Sequence, residues 1–192
     1  MTQKFIEYIS KFVFLEEKEK EAIYSLIEIK TYKKGHLLLR EGMISHVSYF
    51  NIKGCVRLFY LIGDEEKTTF FYTENKFITS FRSFIDRKPS DHYLECIEDC
   101  TLALIPYEIE KKLLKAFPKL ESFARIILEQ ELGNYQEMLS SYIVSNPEQR
   151  YLNLLKKDAE LLQRVPLFQL ASYIGVKAES LSRIRNRITK IP

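Results

Sequence analysis

The chain has 192 residues, enough for one large domain or for a medium domain with a small companion, each with its own core. Hydrophobic residues make up 46% and charged residues 29%, an ordinary globular mixture that excludes a disordered chain. The net charge of +3 conceals an asymmetry, because residues 1–146 carry 20 basic and 22 acidic side chains whereas 147–192 carry 9 and 4. That distribution is expected when one end of a protein meets a polyanion.

No window approaches the run of about 18 apolar residues that a spanning helix needs, and acidic residues stand where a signal peptide would be cleaved. A cytoplasmic protein without a membrane partner is therefore expected. The three cysteines, Cys55, Cys96 and Cys100, are too few and too oddly spaced for a disulfide framework. Cys96 and Cys100 lie four apart beside a predicted strand and read as buried structural thiols.

In chain order, residues 3–29 read as helical, with Phe5, Ile9, Phe12, Ile23, Leu26 and Ile27 at spacings of three and four. From Thr31 the pattern changes to short, roughly alternating runs separated by Gly35, Gly42, Gly54 and Gly63-Asp64. These predict an antiparallel sandwich or barrel of about 75 residues, with "LIGDEEKTT" as a hairpin connection. Helical periodicity resumes at Tyr107, and Pro118 opens a second, much longer helix of about 27 residues, or about 40 Å.

The first half of that long helix is apolar almost all round, so one face can cover the β domain while another needs a partner. The row Phe123, Ile127, Gln130, Asn134 suggests a seam with a second copy, with Gly133 allowing close approach. A further helix starts with Asn146 as its N-cap, Pro147 in first position and Glu148 in the first turn.

The C-terminal stretch "PLFQLASYIGVKAESLSRIRNRI" then divides into two helices, 166–174 and 177–188, around a Gly175-Val176 turn. Leu170, Ile174, Val176, Leu181 and Ile184, with the small Ala171, have the spacing of a helix-turn-helix core. At about 100° per residue, Glu179, Arg183, Arg187 and Ser180 fall on one outer face, Leu181, Ile184 and Ile188 on the inner one, and Arg185 apart from both. Such a helix can enter the major groove, with Arg183 offering two parallel donors to guanine and Glu179 accepting from cytosine or orienting the arginine. Lys177, Arg185 and Arg187 suit phosphates, and Ser180 and Ser182 complete the expected DNA-binding set.

With these residues in view, the chain resembles the CRP/FNR superfamily of bacterial transcription regulators over nearly its full length. "YKKGHLLLREG" looks like the family's first roll strands, and "VKAESLSR" is similar to its recognition-helix signature, Glu-Ser/Thr-x-x-Arg. Glu179, Ser182 and Arg183 look closer to the FNR branch, and Ala178 stands where the CRP branch usually has another arginine.

The resemblance implies an α+β fold: an N-terminal antiparallel β-roll of the jelly-roll (double-stranded β-helix) type flanked by helices, a long dimerisation helix, and a C-terminal winged helix-turn-helix. The corresponding segments are a cyclic-nucleotide-binding-like sensor at 1–117, the dimerisation helix at 118–145 and the DNA-binding domain at 146–192. It further implies a homodimer on a palindromic duplex with TGA-like half-sites, and RNA polymerase as a partner. The short tail after the recognition helix leaves little room for a long wing.

Departures from the family pattern limit the effector. Cyclic-nucleotide sensors of this fold carry a Gly-Glu pair and then Arg-Ser/Thr-Ala, but here Thr79-Ser80 and Ser90-Asp91-His92 stand in those places. Asp91 would repel a phosphate, so an effector other than cAMP is expected, with Ser80, Arg82, Arg87 and Tyr72 as candidate pocket residues. Three cysteines cannot hold the four-cysteine iron–sulfur cluster of the oxygen-sensing branch, and His36, His46 and His92 lack metal-ligand spacing, so no cofactor is expected. Two other classes compete with a regulator. A cupin-like small-molecule or catalytic barrel would show a His/Glu metal set on its strands, and an interaction module that had lost DNA binding would not keep the outer face of Glu179, Arg183 and Arg187.

Overall fold

The computed structural model describes residues 2–188. Two N-terminal helices, α1 (Thr2–Ile9) and α2 (Glu17–Leu26), precede eight strands: β1 (Glu28–Tyr32), β2 (Leu37–Leu39), β3 (Val47–Lys53), β4 (Val56–Ile62), β5 (Glu65–Tyr72), β6 (Phe77–Ile78), β7 (Tyr93–Cys96) and β8 (Cys100–Pro106). A short helix, α3 (Phe81–Asp86), lies between β6 and β7. Helices α4 (Tyr107–Ala116), α5 (Pro118–Val144), α6 (Pro147–Lys157), α7 (Leu161–Arg164), α8 (Leu167–Ile174) and α9 (Ala178–Ile188) follow. Among the described residues no helix is long and apolar enough to cross a membrane.

The strands form two four-stranded sheets, ordered β1-β8-β3-β6 and β2-β7-β4-β5. This interleaved order is that of a jelly roll, as expected. Gly63, with φ of +61°, occupies the first position of the two-residue β4–β5 loop, where a tight hairpin turn calls for positive φ. The chain divides into two compact units, Met1–Leu58 with Phe71–Leu132, and Phe59–Phe70 with Gly133–Pro192. The hairpin tip thus belongs with the C-terminal helices.

In the first unit, the helix-facing side of the first sheet presents Phe50, Ile52, Ala103 and Ile105 to Phe5, Ile9, Ile23, Leu113, Phe123 and Ile127. Phe50 is at the centre of an aromatic cluster, with ring centroids 4.9 Å from Phe5, 4.8 Å from Tyr8 and 5.1 Å from Phe77. The single helical region expected at 3–29 is interrupted at residues 10–16. Glu16 restarts it through a capping box, its backbone N–H donating to the Glu19 carboxylate at 2.7 Å, and β1 already begins at Glu28.

In the second unit, α6 starts as read from the sequence. The Gln149 N–H donates to the Asn146 side chain, and the Asn146 N–H donates to the Gln149 side chain, both at 2.9 Å. Between residues 133 and 188 the described residues contain no strand, so the strands of a wing are not found there. Gly175 ends α8 in the left-handed region, at φ +81°, and a Cβ there would lie 2.5 Å from the Tyr142 hydroxyl. Gly175→Ala should lower stability by about 1 to 3 kcal/mol, measured by thermal unfolding. Adding Tyr142→Phe should recover only the steric part. Wild-type stability in Gly175→Ala would show that the turn tolerates a side chain.

Candidate functional site

Helices α8 and α9 are joined by a turn at residues 175–177 and share a buried apolar seam of Leu170, Ala171, Ile174, Leu181 and Ile184. The Val176 N–H donates to the Ala171 carbonyl at 2.9 Å, closing the end of α8 as a glycine-terminated helix should. Arg150 on α6 fixes the position of that end. Its Nε donates to the Ile174 carbonyl at 2.9 Å, its Nη1 to the Ser145 carbonyl at 2.6 Å, and its guanidinium lies 4.6 Å from the Tyr142 ring centroid.

Ser172 supplies a second anchor within the same unit. Its hydroxyl accepts from the Thr68 N–H at 2.9 Å and donates to the Glu66 carbonyl at 3.0 Å. Those backbone groups lie on β5, an edge strand whose outer side otherwise lacks a neighbouring strand. Neither Arg150 nor Ser172 carried a local sequence signal, because each acts on a residue far from it in the chain.

The inner anchoring of α9 leaves its other face open. Lys177, Glu179, Ser180, Arg183, Arg185 and Arg187 are exposed, and Ser182 is half-buried. This is the division expected from the helical periodicity. The Arg187 Nη2 is also 2.6 Å from the Glu148 carboxylate on α6. A surface ion pair of this kind is worth about 0 to 1 kcal/mol, and holding it leaves the guanidinium partly neutralised. Glu179 and Arg183 present a carboxylate and a guanidinium one turn apart, the combination that can read a cytosine and a guanine edge.

The candidate effector residues Ser80, Arg82, Arg87 and Tyr72 each have their own surroundings. Ser80 is buried, with its hydroxyl 3.4 Å from that of Ser90. Arg82 is exposed. Tyr72 is buried in β5, and its carbonyl accepts from the Asn51 side chain at 2.9 Å. Arg87, at φ +56°, donates to the Ser45 carbonyl at 2.9 Å and lies 4.8 Å from the Tyr107 ring centroid. The Arg87 backbone ends α3 and turns its side chain towards the segment before β3 and towards α4. Asp91 makes a 2.8 Å hydrogen bond with His92, which holds its carboxyl below the usual range, and the Arg82 charge adds to this. Asp91 therefore keeps its negative charge at neutral pH.

Two internal features belong to the first unit. Arg57 on β4 is buried and bonds Glu95 on β7 through Nε at 2.7 Å and Nη2 at 2.5 Å. The three cysteines are fully buried. A hydrogen bond with Cys100 and burial push the Cys96 thiol well up, the environment of an unreactive thiol. Among the described residues no group of three or more His, Cys, Asp or Glu side chains is placed to hold a metal ion.

The seam expected on α5 requires correction. Phe123 and Ile127 are buried against the body of their own unit and are not available to a second chain. The exposed large apolar residues of α5 are instead Leu128, Leu132, Leu139, Tyr142, Ile143 and Val144. At about 100° per residue, Leu128, Leu132, Leu139 and Ile143 fall within about 60° of one another, forming one stripe along the helix.

Comparison with known proteins agrees with this architecture. Residues 29–117 match the cyclic nucleotide-binding domain family. Curated protein sequences give no match. Among solved structures, the c-di-GMP responsive global regulator CLP of Xanthomonas campestris is similar, with a TM-score of 0.71 and 20% identity over 91% of this chain and 92% of that one. A CooA mutant from Carboxydothermus hydrogenoformans has a TM-score of 0.71 and 13% identity over 95% and 83% of the two chains. A protein from Eubacterium rectale assigned to the CRP/FNR family has a TM-score of 0.69 and 16% identity over 91% and 84%. Residues 29–117 thus match the cyclic nucleotide-binding domain family, in a chain whose fold is like that of solved CRP/FNR-type regulators.

Proposed function

We propose that the protein is a sequence-specific DNA-binding transcription regulator that acts as a homodimer on a palindromic site. The observation that carries this reading is the exposed face of Glu179, Ser180 and Arg183 on a helix whose opposite face, Leu181 and Ile184, is locked to α8. In this reading α8 and α9 are a helix-turn-helix. Arg183 reads a guanine, Glu179 reads the neighbouring pair or orients Arg183, and Lys177 and Arg185 meet phosphates. Residues 1–117 act as the sensor, 118–145 as the dimerisation helix through the Leu128–Ile143 stripe, and 146–192 as the DNA-binding module.

The effector is a molecule other than cAMP, supported by the charged Asp91 and by the engagement of Arg87 elsewhere. It acts by shifting the population of dimers in which the two α9 helices match successive major grooves. RNA polymerase is the partner such a regulator addresses once bound.

The test is selection from random duplex DNA with the ligand-free protein at near-physiological salt. Recovery of a two-fold palindrome with TGA-like half-sites is expected. Arg183→Ala should then weaken binding to the selected site by about 1 to 3 kcal/mol and relax one base position per half-site. Unchanged affinity and sequence preference in that variant would remove Arg183 from its base-reading role.

A further inference from the structure

The first unit contains a cleft bordered by α1, α2, α3, α4 and the first turns of α5, outside the interior of the roll. Its volume is about 180 Å³. An apolar cavity of about 150 Å³ is large enough to take up benzene, so this one has room for an aromatic ring with a short substituent. Its floor is core, with Ile9 and Phe123 buried, but its mouth is not. Phe81, Ile85 and Leu128 are 40%, 58% and 49% exposed, so a bound apolar molecule would take three large side chains out of water.

The polar lining of the cleft is sparse. Ser48 and Thr79 contribute hydroxyls, but these bond each other at 2.5 Å. Among the described residues, Glu110 on α4 is then the one remaining polar group in the lining, and no lysine, arginine or histidine borders the cleft. Burial alone pushes the Glu110 carboxyl up. A phosphate or carboxylate ligand would find no cation there, whereas a neutral molecule with an O–H or N–H would find an acceptor in an otherwise apolar wall.

We propose that this cleft is a binding site for a neutral, largely apolar molecule of roughly nine to twelve heavy atoms carrying one hydrogen-bond donor. Its ring or chain packs between Phe84 and Ile85 of α3 and Leu114 of α4, and its donor bonds the Glu110 carboxyl. Ala124 and Leu128 close the cleft from α5, so occupancy adds contacts to the helix that bears the exposed apolar stripe. The site does not depend on the DNA reading, because its occupancy is measured directly.

Titration calorimetry of the full chain with three probes of one shape tests it: 4-ethylphenol, neutral with a donor; ethylbenzene, neutral without one; and 4-ethylbenzoate, an anion. Saturable binding of 4-ethylphenol is expected, at least about tenfold tighter than the anion. Glu110→Leu should abolish the preference for 4-ethylphenol over ethylbenzene. Ala124→Phe, which fills the cleft, and Ile85→Trp, which narrows its exposed mouth without touching the core, should both eliminate binding while the far-ultraviolet circular dichroism stays that of the parent. The proposal is overturned by no saturable binding of any probe, by equal binding of the phenol and the anion, or by undiminished binding in Ile85→Trp.

Discussion

Leu132→Glu combined with Leu139→Glu should convert a dimer into monomers. The two side chains are 62% and 61% exposed in the isolated chain, so they have most of their apolar surface still to bury. Burying a leucine contributes about 1.5 to 3 kcal/mol, and in a two-fold interface each substitution removes two of them. Glutamates placed in that stripe would also oppose one another across the axis. An increase of at least about a thousandfold in the dimer dissociation constant follows, readable by sedimentation equilibrium. Binding to the selected palindrome should fall by at least about a hundredfold, because two half-sites are no longer engaged by one particle. Gln130→Glu, on the row first indicated by the sequence, should leave the dimer intact. A double variant that remained dimeric would exclude the Leu128–Ile143 stripe as the interface.

The correction on α5 shows what sequence periodicity can and cannot decide. Leu120, Phe123, Ile126, Ile127 and Leu128 surround the helix, so the sequence identifies a helix buried on more than one side without saying which side its own body takes. The answer lies in the facing surface, where Phe50, Ile105 and Leu113 receive Phe123 and Ile127. Local signals were read correctly wherever the chemistry was local: Gly63 in its hairpin, Pro118 opening α5, Asn146-Pro147 opening α6 and Gly175 ending α8. Strands β3 and β8 alternate only roughly because both of their faces are covered, with Tyr49, Phe50, Asn51 and Ile52 all buried in sequence. The break after α1 was concealed because the N-cap of α2 is a glutamate, Glu16, and not a serine, threonine or aspartate, with the buried Glu19 completing the capping box.

On the candidate site, the outer face of α9 was legible because both it and the buried seam repeat with the helical period. Its supports were not. Arg150 acts on the carbonyl of Ile174, 24 residues along the chain, and Ser172 on an edge strand about a hundred residues away. Pairings at such separations leave no periodic trace in a single sequence.

The Arg57–Glu95 pair is the plainest case of such a pairing, and it predicts an asymmetric effect on stability. The Arg57 side chain is 4% exposed and that of Glu95 20%, and both guanidinium contacts fall on the same carboxylate oxygen, Oε2. Removing the carboxylate leaves a guanidinium, always charged, in a site that water barely reaches. Removing the guanidinium leaves a carboxylate that can draw on solvent. Glu95→Leu should therefore cost about 3 to 5 kcal/mol and Arg57→Met distinctly less. The double variant should be more stable than Glu95→Leu alone, because replacing both partners by apolar groups removes the buried charge together with its carboxylate. Urea unfolding of the four proteins closes the double-mutant cycle, with the slope of each transition checked so that a change in midpoint reports stability. Equal losses in the two single variants, or additivity in the double, would mean that Arg57 is held by its other neighbours and that the pair does not act as a unit.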